Sequence, residues 1–248
     1  MIKLFKSRRY DIMEKNKTGK YLKYAIGEII LVIIGILVAI QLNEWRMESN
    51  NNIQKQTILN ALQLEFEANV EQLDTVIYYM KEIPKAYLLT NKMMRKPIKQ
   101  YSDSDYSKLI LGLGWTHTFN PSNGALRSAI SSSEIHLIEN KRLIQILFSW
   151  EDVIKDSDEE ALNLLKFQYD SHILKGRYIS AAIEWKAIFP EMIPPNNPSD
   201  YIGLFQDEAF ENFSIRSFAY SQEYLSELNN IKNQNMEILL LIKQELAK

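Results

Sequence analysis

Along most of this chain apolar residues recur every three or four positions between acidic and amide residues, the pattern of helices with one buried stripe. One stretch departs from it. Residues 24–45 read YAIGEIILVIIGILVAIQLNEW and have no polar face. Twenty residues lie between Tyr24 and Trp45, and at ~1.5 Å each they reach about 30 Å, the hydrocarbon thickness of a bilayer. Tyr21, Tyr24 and Trp45 stand where interfacial aromatics belong. This stretch is expected to form a transmembrane helix. A cleaved signal peptide and a buried core helix are the competing readings. The exit Leu37-Val38-Ala39-Ile40-Gln41 is a poor small-x-small site, and the flanking charge step and aromatic residues disfavour a core helix, although the unbroken apolar run, residues 29–40, is only 12 residues long.

Beyond the span, Ile58, Leu62, Phe66, Leu73, Val76/Ile77, Met80 and Ile83 keep a helical spacing. Ser49–Asn52 reads as a hinge before them, and Pro84 is expected to break or kink the helix at Ile83. A second piece runs to about Arg95, a polar loop covers 96–105, and a short apolar helix covers 106–113. Asn120-Pro121-Ser122-Asn123-Gly124 is turn chemistry that starts a short helix, with Ser or Asn as its cap. Asn140 then caps a longer helix, whose stripe is Leu143, Ile146/Leu147, Trp150, Val153/Ile154, Ala161 and Leu164/Leu165. After a proline-rich connection at 189–198, a last helix over about 208–245 buries Phe218, Leu225, Leu228, Ile231, Ile238/Leu239 and Ile242. The expected fold is all-α, one N-terminal transmembrane helix followed by an antiparallel bundle of four to five main helices. The expected domains are a basic juxtamembrane segment (1–23), the span (24–45) and a helical domain (46–248).

Charge orients the span. Residues 1–23 carry a net +6 and the remainder a net −8. By the positive-inside rule the head is cytoplasmic and the body extracytoplasmic, which in a bacterial inner membrane means periplasmic. Ile2, Phe5, Arg9 and Ile12/Met13 give the head an amphipathic helical period suited to anionic lipid, and Asn16–Lys20 interrupts it. A head this short is no output domain, so inward signalling would need a partner.

Glu28 is the one acid within the apolar edge. Placing it at the headgroups would leave residues 29–42, about 21 Å, too short a span for an ordinary bilayer. It is therefore expected inside that edge, where a carboxylate is expensive and tends to be paired or protonated. Glu28, Val32, Gly35, Ala39 and Leu42 share one helical face, and Gly35-xxx-Ala39 is a small-xxx-small pair that admits a second helix. The candidate helix-association residues are Glu28, Gly35 and Ala39; a glutamate snorkelling to the cytoplasmic interface is the alternative.

The sequences YDIMEKNKTGKYLKYAIGEIILVIIGILVAIQLNEW, FNPSNGALRSAISS and LIENKRLIQILFSW closely resemble an uncharacterised bacterial family of single-pass membrane proteins. The resemblance implies a shared anchor and an all-helical periplasmic domain of unknown function, with no established catalytic residues. Members of the family often have glycine where this chain has Ser133.

Candidate chemistry is sparse. There is no cysteine, so no disulfide, thiolate site or lipoprotein acylation is available. His117, His136 and His172 follow neither Glu-x-x-His nor His-Glu-x-x-His spacing. Ser131 with Glu134 reads as a capping box, Leu111-Gly112-Leu113-Gly114 as a helix end, and Asp156–Glu160 as a solvated face. Trp115, Phe119, Trp150 and Trp185 could line a pocket, though large aromatics in bundles are usually core. No cofactor, metal or catalytic residue is expected, and an acidic body disfavours nucleic acid. The expected partners are the lipid bilayer, a helix against the span (another copy or a different chain), and a protein partner of the body. The leading expectation is a membrane-anchored interaction module. A ligand-sensing subunit is the alternative, and an envelope enzyme with an unfamiliar site the weakest reading.

Overall fold

The computed structural model describes residues 18–96, 101–113, 116–186, 188–193, 196 and 199–248. The expected amphipathic head over 2–13, Gly114 and Trp115 lie outside the described residues. The described residues are all-helical, with no strand. By its internal contacts the chain divides into two units, 1–56 and 57–248.

Helix α1, Thr18–Met80, runs through the expected hinge at Ser49–Asn52 without interruption. Serine and asparagine lower helix propensity by roughly half a kcal/mol each. Three or four such residues do not nucleate a break when strong helix formers flank them on both sides. Thr18–Lys20, expected to interrupt the pattern, are likewise helical. Within the first unit the apolar run forms one helix long and apolar enough to cross a membrane. Its most apolar window has a mean hydropathy of 2.6 and is 0% buried.

In the second unit the predicted stripe of α1 is buried throughout: Leu62, Phe66, Leu73 and Met80 are each 0% exposed. The helix is interrupted at Lys81, two residues before the expected Ile83, and α2 resumes at Glu82 and runs to Met94. Lys81 keeps helical angles (φ −66°, ψ −22°), and its N–H still donates to the Ile77 carbonyl at 3.0 Å. The reason is where proline acts. Pro84 has no N–H to offer the Met80 carbonyl four residues back and its ring crowds that oxygen, so the distortion lands one turn upstream.

Helix α3 spans Asp103–Gly112, α4 Gly124–Ser131, α5 Lys141–Lys175, α6 Ala181–Lys186, α7 Tyr201–Gln206 and α8 Glu208–Leu246. Asn140 caps α5 as expected, its side chain accepting from the Leu143 N–H at 3.1 Å. The α5 stripe is buried from Leu143 to Leu164, with Val153 at its margin, but Leu165, expected in it, is exposed because it points off the buried face. On α8, Leu225, Leu228, Ile231, Ile238 and Ile242 are buried, while Phe218 and Leu239 pack against the core from its edge.

Side-chain pairs fix how these helices meet. Phe66 of α1 packs edge-on against Trp150 of α5, ring centres 5.0 Å apart. Phe167 of α5 stacks on Phe213 of α8 at 5.2 Å, while near the other ends Arg142 pairs with Glu237 at 3.0 Å. Lys232 of α8 pairs with Asp74 of α1, and Arg95, just past α2, with Glu211 of α8. Tyr106 of α3 meets Tyr201 and Phe205 of α7, 5.7 and 4.7 Å between ring centres.

After α4 the expected Ser131–Glu134 capping box does not form. Ser131 is still the last residue of α4, and its hydroxyl donates back to the Ser128 carbonyl at 3.1 Å. Ser133 adopts a left-handed conformation (φ 62°, ψ 9°), which reverses the chain into a 3-10 turn at Glu134–Leu137. That reversal puts Ser132 nearest Glu134, with its hydroxyl 2.9 Å from the carboxylate.

Candidate functional site

Three features of the molecule could carry function. The first is the stripe on α1. At 100° per residue, Glu28, Gly35 and Ala39 fall within about 40° of one another on the helical wheel. All three are exposed, and Ala25, Glu28, Ile29, Val32 and Ile33 border a shallow recess. A Cβ built on Gly35 would meet nothing within 4 Å. The chain's own packing therefore does not require glycine there, although glycine inside a helix costs roughly 0.5–1 kcal/mol relative to alanine.

The second feature is the turn at residues 120–124, which is held from outside. Asn123 precedes α4 but makes no side-chain cap. Its Oδ1 instead accepts from the Trp150 indole N–H at 3.0 Å. The cap comes from α1: the Glu65 carboxylate accepts from the Ala125 N–H at 2.7 Å and the Leu126 N–H at 3.0 Å. An acid at a helix N-terminus satisfies orphan donors and complements the helix dipole. One turn on, the Asn69 amide clamps Ser122 twice, donating to its carbonyl at 2.9 Å and accepting from its N–H at 2.8 Å. Upstream, the Tyr224 hydroxyl accepts from the Phe119 N–H and donates to the His117 carbonyl, both at 3.3 Å. Burial pushes the Tyr224 phenol up to about 12, so it stays a donor over the accessible pH range. The arrangement locks a loop in place and presents no nucleophile–base pair.

Sequence reasoning missed Glu65 and Asn69. Their spacing of four along α1 places both on one side of that helix, but nothing local links them to a turn more than fifty residues away.

The third feature is surface relief. A cleft of about 680 Å³ between α2 and α3 is lined by Glu82, Lys85, Leu89, Met93, Tyr101 and Asp105, among others, and Lys85 pairs with Glu82 at 2.7 Å. A second, about 530 Å³, lies at the C-terminal end of α5 beside α6 and includes Tyr169, His172, Lys175 and Trp185. Of the aromatics singled out in the sequence, Phe119 and Trp150 are core, 2% and 0% exposed, and Trp185 reaches this cleft. Among the described residues, no three or more His, Cys, Asp or Glu side chains gather closely enough to hold a metal ion.

A buried polar cluster joins α2, α5 and α8. Tyr87, pushed up to about 12 by burial, donates to the Leu113 carbonyl at 3.0 Å. Nearby, Gln168 accepts from the Thr116 hydroxyl at 2.5 Å, and Ser214 Oγ is buried without a hydrogen-bond partner among the described residues. These groups make a polar seam within the core.

No curated protein and no solved structure matches this chain. A family model does, over residues 28–154, more than half of the 248-residue sequence. The match begins at Glu28, takes in the clamped turn with Glu65, Asn69 and Trp150, and stops at Ile154, short of the cleft at the end of α5. On that match the chain belongs to DUF6090, a family of unknown function.

Proposed function

We propose that this protein is a membrane-anchored helical interaction module of a bacterial inner membrane. Residues 24–45 span the bilayer, residues 1–23 are cytoplasmic, and the body from residue 46 is a periplasmic antiparallel helical bundle that binds a protein or envelope component. The observation that carries the reading is the apolar window of α1, hydropathic and 0% buried. Ile29, Leu31, Val32, Ile34, Leu37 and Leu42 each expose roughly half or more of their surface, 54–64%. Exposed apolar surface of that extent is not tolerated in water and calls for lipid. The bundle reading is supported by the opposed pairings of α5 with α8, in which Arg142 meets Glu237 and Phe167 meets Phe213.

Glu28, Gly35 and Ala39 are the recognition face of the span. Gly35 leaves a notch that the chain itself does not fill, and close backbone approach across small residues is how membrane helices pair. A carboxylate on the same face would hydrogen-bond or pair across the contact, where lipid offers it nothing.

The test is crosslinking in cells that express the tagged full-length chain, purification from membranes, and identification of companions beside a Glu28→Leu variant. The reading expects the chain in the carbonate-washed membrane fraction and a companion, or its own dimer, lost on substitution. A chain released by the carbonate wash would refute the anchor. A companion list unchanged by Glu28→Leu would refute the role of the stripe and assign recognition to the bundle.

A further inference from the structure

We infer that the end of α1, together with the locked loop beside it, is a binding surface for a neutral glycan, a chain of uncharged sugar rings. Such a glycan is the envelope component proposed above, so the assignment rests on that reading of the body. The buried stripe of α1 reaches Val76, Ile77 and Met80, yet Tyr78 and Tyr79 between them are 67% and 47% exposed. Single exposed aromatics are ordinary, but these two are organised. Tyr79 lies nearly flat on the His117 ring, centres 4.6 Å apart and planes 19° from parallel. Tyr78 stands across Tyr79 at 5.3 Å and 76°. One ring is backed by an imidazole, and the other is set against it with most of its surface open.

The loop that carries His117 is fixed to α1 at both ends. The His117 N–H donates to the Met80 sulfur at 3.4 Å, and Ser122 is clamped by Asn69 farther back on the same helix. The segment therefore runs back along α1, and Tyr224 of α8 holds it from the other side. Phe119 is buried, 2% exposed, and its neighbours in the chain, Thr118 half-buried and Asn120 exposed, carry the polar groups of the outer side. The Asn120 Nδ2 donates to the Thr118 hydroxyl at 3.2 Å, which orients the amide. A loop held this firmly has lost its freedom before a ligand arrives, which is how a rigid scaffold makes weak contacts count.

The chemistry of the surface is aromatic and uncharged. Residues 116–122 read THTFNPS, without a carboxylate or an ammonium, and residues 24–248 carry a net −8 that repels acids. A sugar ring has an apolar C–H face and a rim of hydroxyls. Tyr78 offers a flat apolar face to the first, and Thr118 and Asn120 offer hydroxyl and amide groups that both donate and accept to the second. From His117 to Asn120 the chain reaches at most about 10 Å, the length of about two sugar rings. The surface falls within the family match, residues 28–154, for which no function is known.

The test uses the full chain in lipid nanodiscs, with empty nanodiscs as the blank. The probe is the β-1,4-linked tetramer of N-acetylglucosamine, titrated by ligand-observed NMR beside the acidic tetramer of galacturonate. The neutral tetramer should saturate with a Kd on the order of 1 mM. The acidic one should bind at least about fivefold more weakly, because it meets a net negative body and no ammonium in the loop. Tyr78→Ala should weaken the neutral tetramer about tenfold with an unchanged melting midpoint, since that ring is mostly exposed. Tyr169→Ala, which removes a ring 72% exposed on α5, should leave the affinity alone. No saturable binding above the blank, equal affinity for the two tetramers, or equal effects of the two substitutions would each overturn the assignment. A crosslinked protein companion lost on Tyr78→Ala, from a chain that ignores the tetramer, would overturn it too and give the surface to a protein. None of these outcomes bears on the carbonate wash or the Glu28→Leu comparison, so the membrane anchor stands or fails separately.

Discussion

Replacing Glu65 with alanine removes the cap of a helix sixty residues away. Both carboxylate oxygens are engaged, at 2.7 Å to the Ala125 N–H and 3.0 Å to the Leu126 N–H. A hydrogen bond to a charged acceptor contributes about 1.5–3 kcal/mol when its partner is left buried, and less when water can replace it. Leu126 is 0% exposed and Ala125 half-buried, so only one of the two donors is readily rehydrated. The expected loss is therefore about 2–3 kcal/mol for Glu65→Ala, and about half of that for Glu65→Gln, which keeps one neutral acceptor. The helix affected is only eight residues long, too short to stand without its ends fixed. The assay is twofold: urea denaturation of the full chain in micelles, and amide hydrogen exchange at residues 125 and 126. Exchange at both amides should accelerate in step with the lost stability. Since Asn123 is the ordinary capping residue here and is held by the Trp150 indole, a Trp150→Phe background frees it. Glu65→Ala should cost less there. A loss under about 0.5 kcal/mol with unchanged exchange at 125 and 126 would show that the carboxylate does not cap α4.

Ser133 holds a left-handed conformation that a side chain disfavours by roughly 1–2 kcal/mol, whereas glycine adopts it freely at some entropic cost in the unfolded chain. Ser133→Gly is expected to raise the unfolding free energy by a net of about 0.5–1 kcal/mol, read as a higher melting midpoint, and a lowered midpoint would refute that account of the turn. Asp207 caps α8, accepting from the Ala209 N–H at 2.8 Å and the Tyr178 hydroxyl at 2.7 Å, and the Tyr178 bond followed by the Ala209 bond holds its carboxyl below the usual carboxylate range. A depressed folded-state value means the cap's charge-dependent stability is complete above the ordinary aspartate value, about 3.9, and fades as pH falls through the lower folded one. Asp207→Asn should therefore cost about 1 kcal/mol at neutral pH and progressively less as pH falls below the ordinary aspartate value, about 3.9, read as the pH dependence of the urea midpoint; a cost that does not shrink on acidification contradicts the assignment.

Much of this molecule is written locally. Residues 24–45 declare a helix long and apolar enough to cross a membrane through a run of apolar side chains with no polar face, and the stripes of α1, α5 and α8 declare their buried faces through a three-to-four spacing. Burial follows from those patterns because a helix with one apolar face has one way to hide it. Asn140 was legible as a cap for the same reason: donor and acceptor sit three residues apart. The failures share a cause. Ser49–Asn52 looked like a hinge by propensity, yet a helix already propagating on both sides overrides a few weak formers. The break expected at Ile83 landed at Lys81 because proline acts on the carbonyl four residues behind it.

What only the tertiary structure decided are the contacts made across long sequence separations. Asn123 gives up its capping role to the Trp150 indole, and Glu65 and Asn69 reach across from α1 to hold the turn. Trp185 and Lys175 come to line one cleft because the chain turns after α5 and sets α6 beside it. The sequence determined which surfaces need cover, since that depends on the period of each segment alone. Which side chain covers which, and what cleft is left between them, depends on where the turns aim each helix, and that is a property of the whole packed chain.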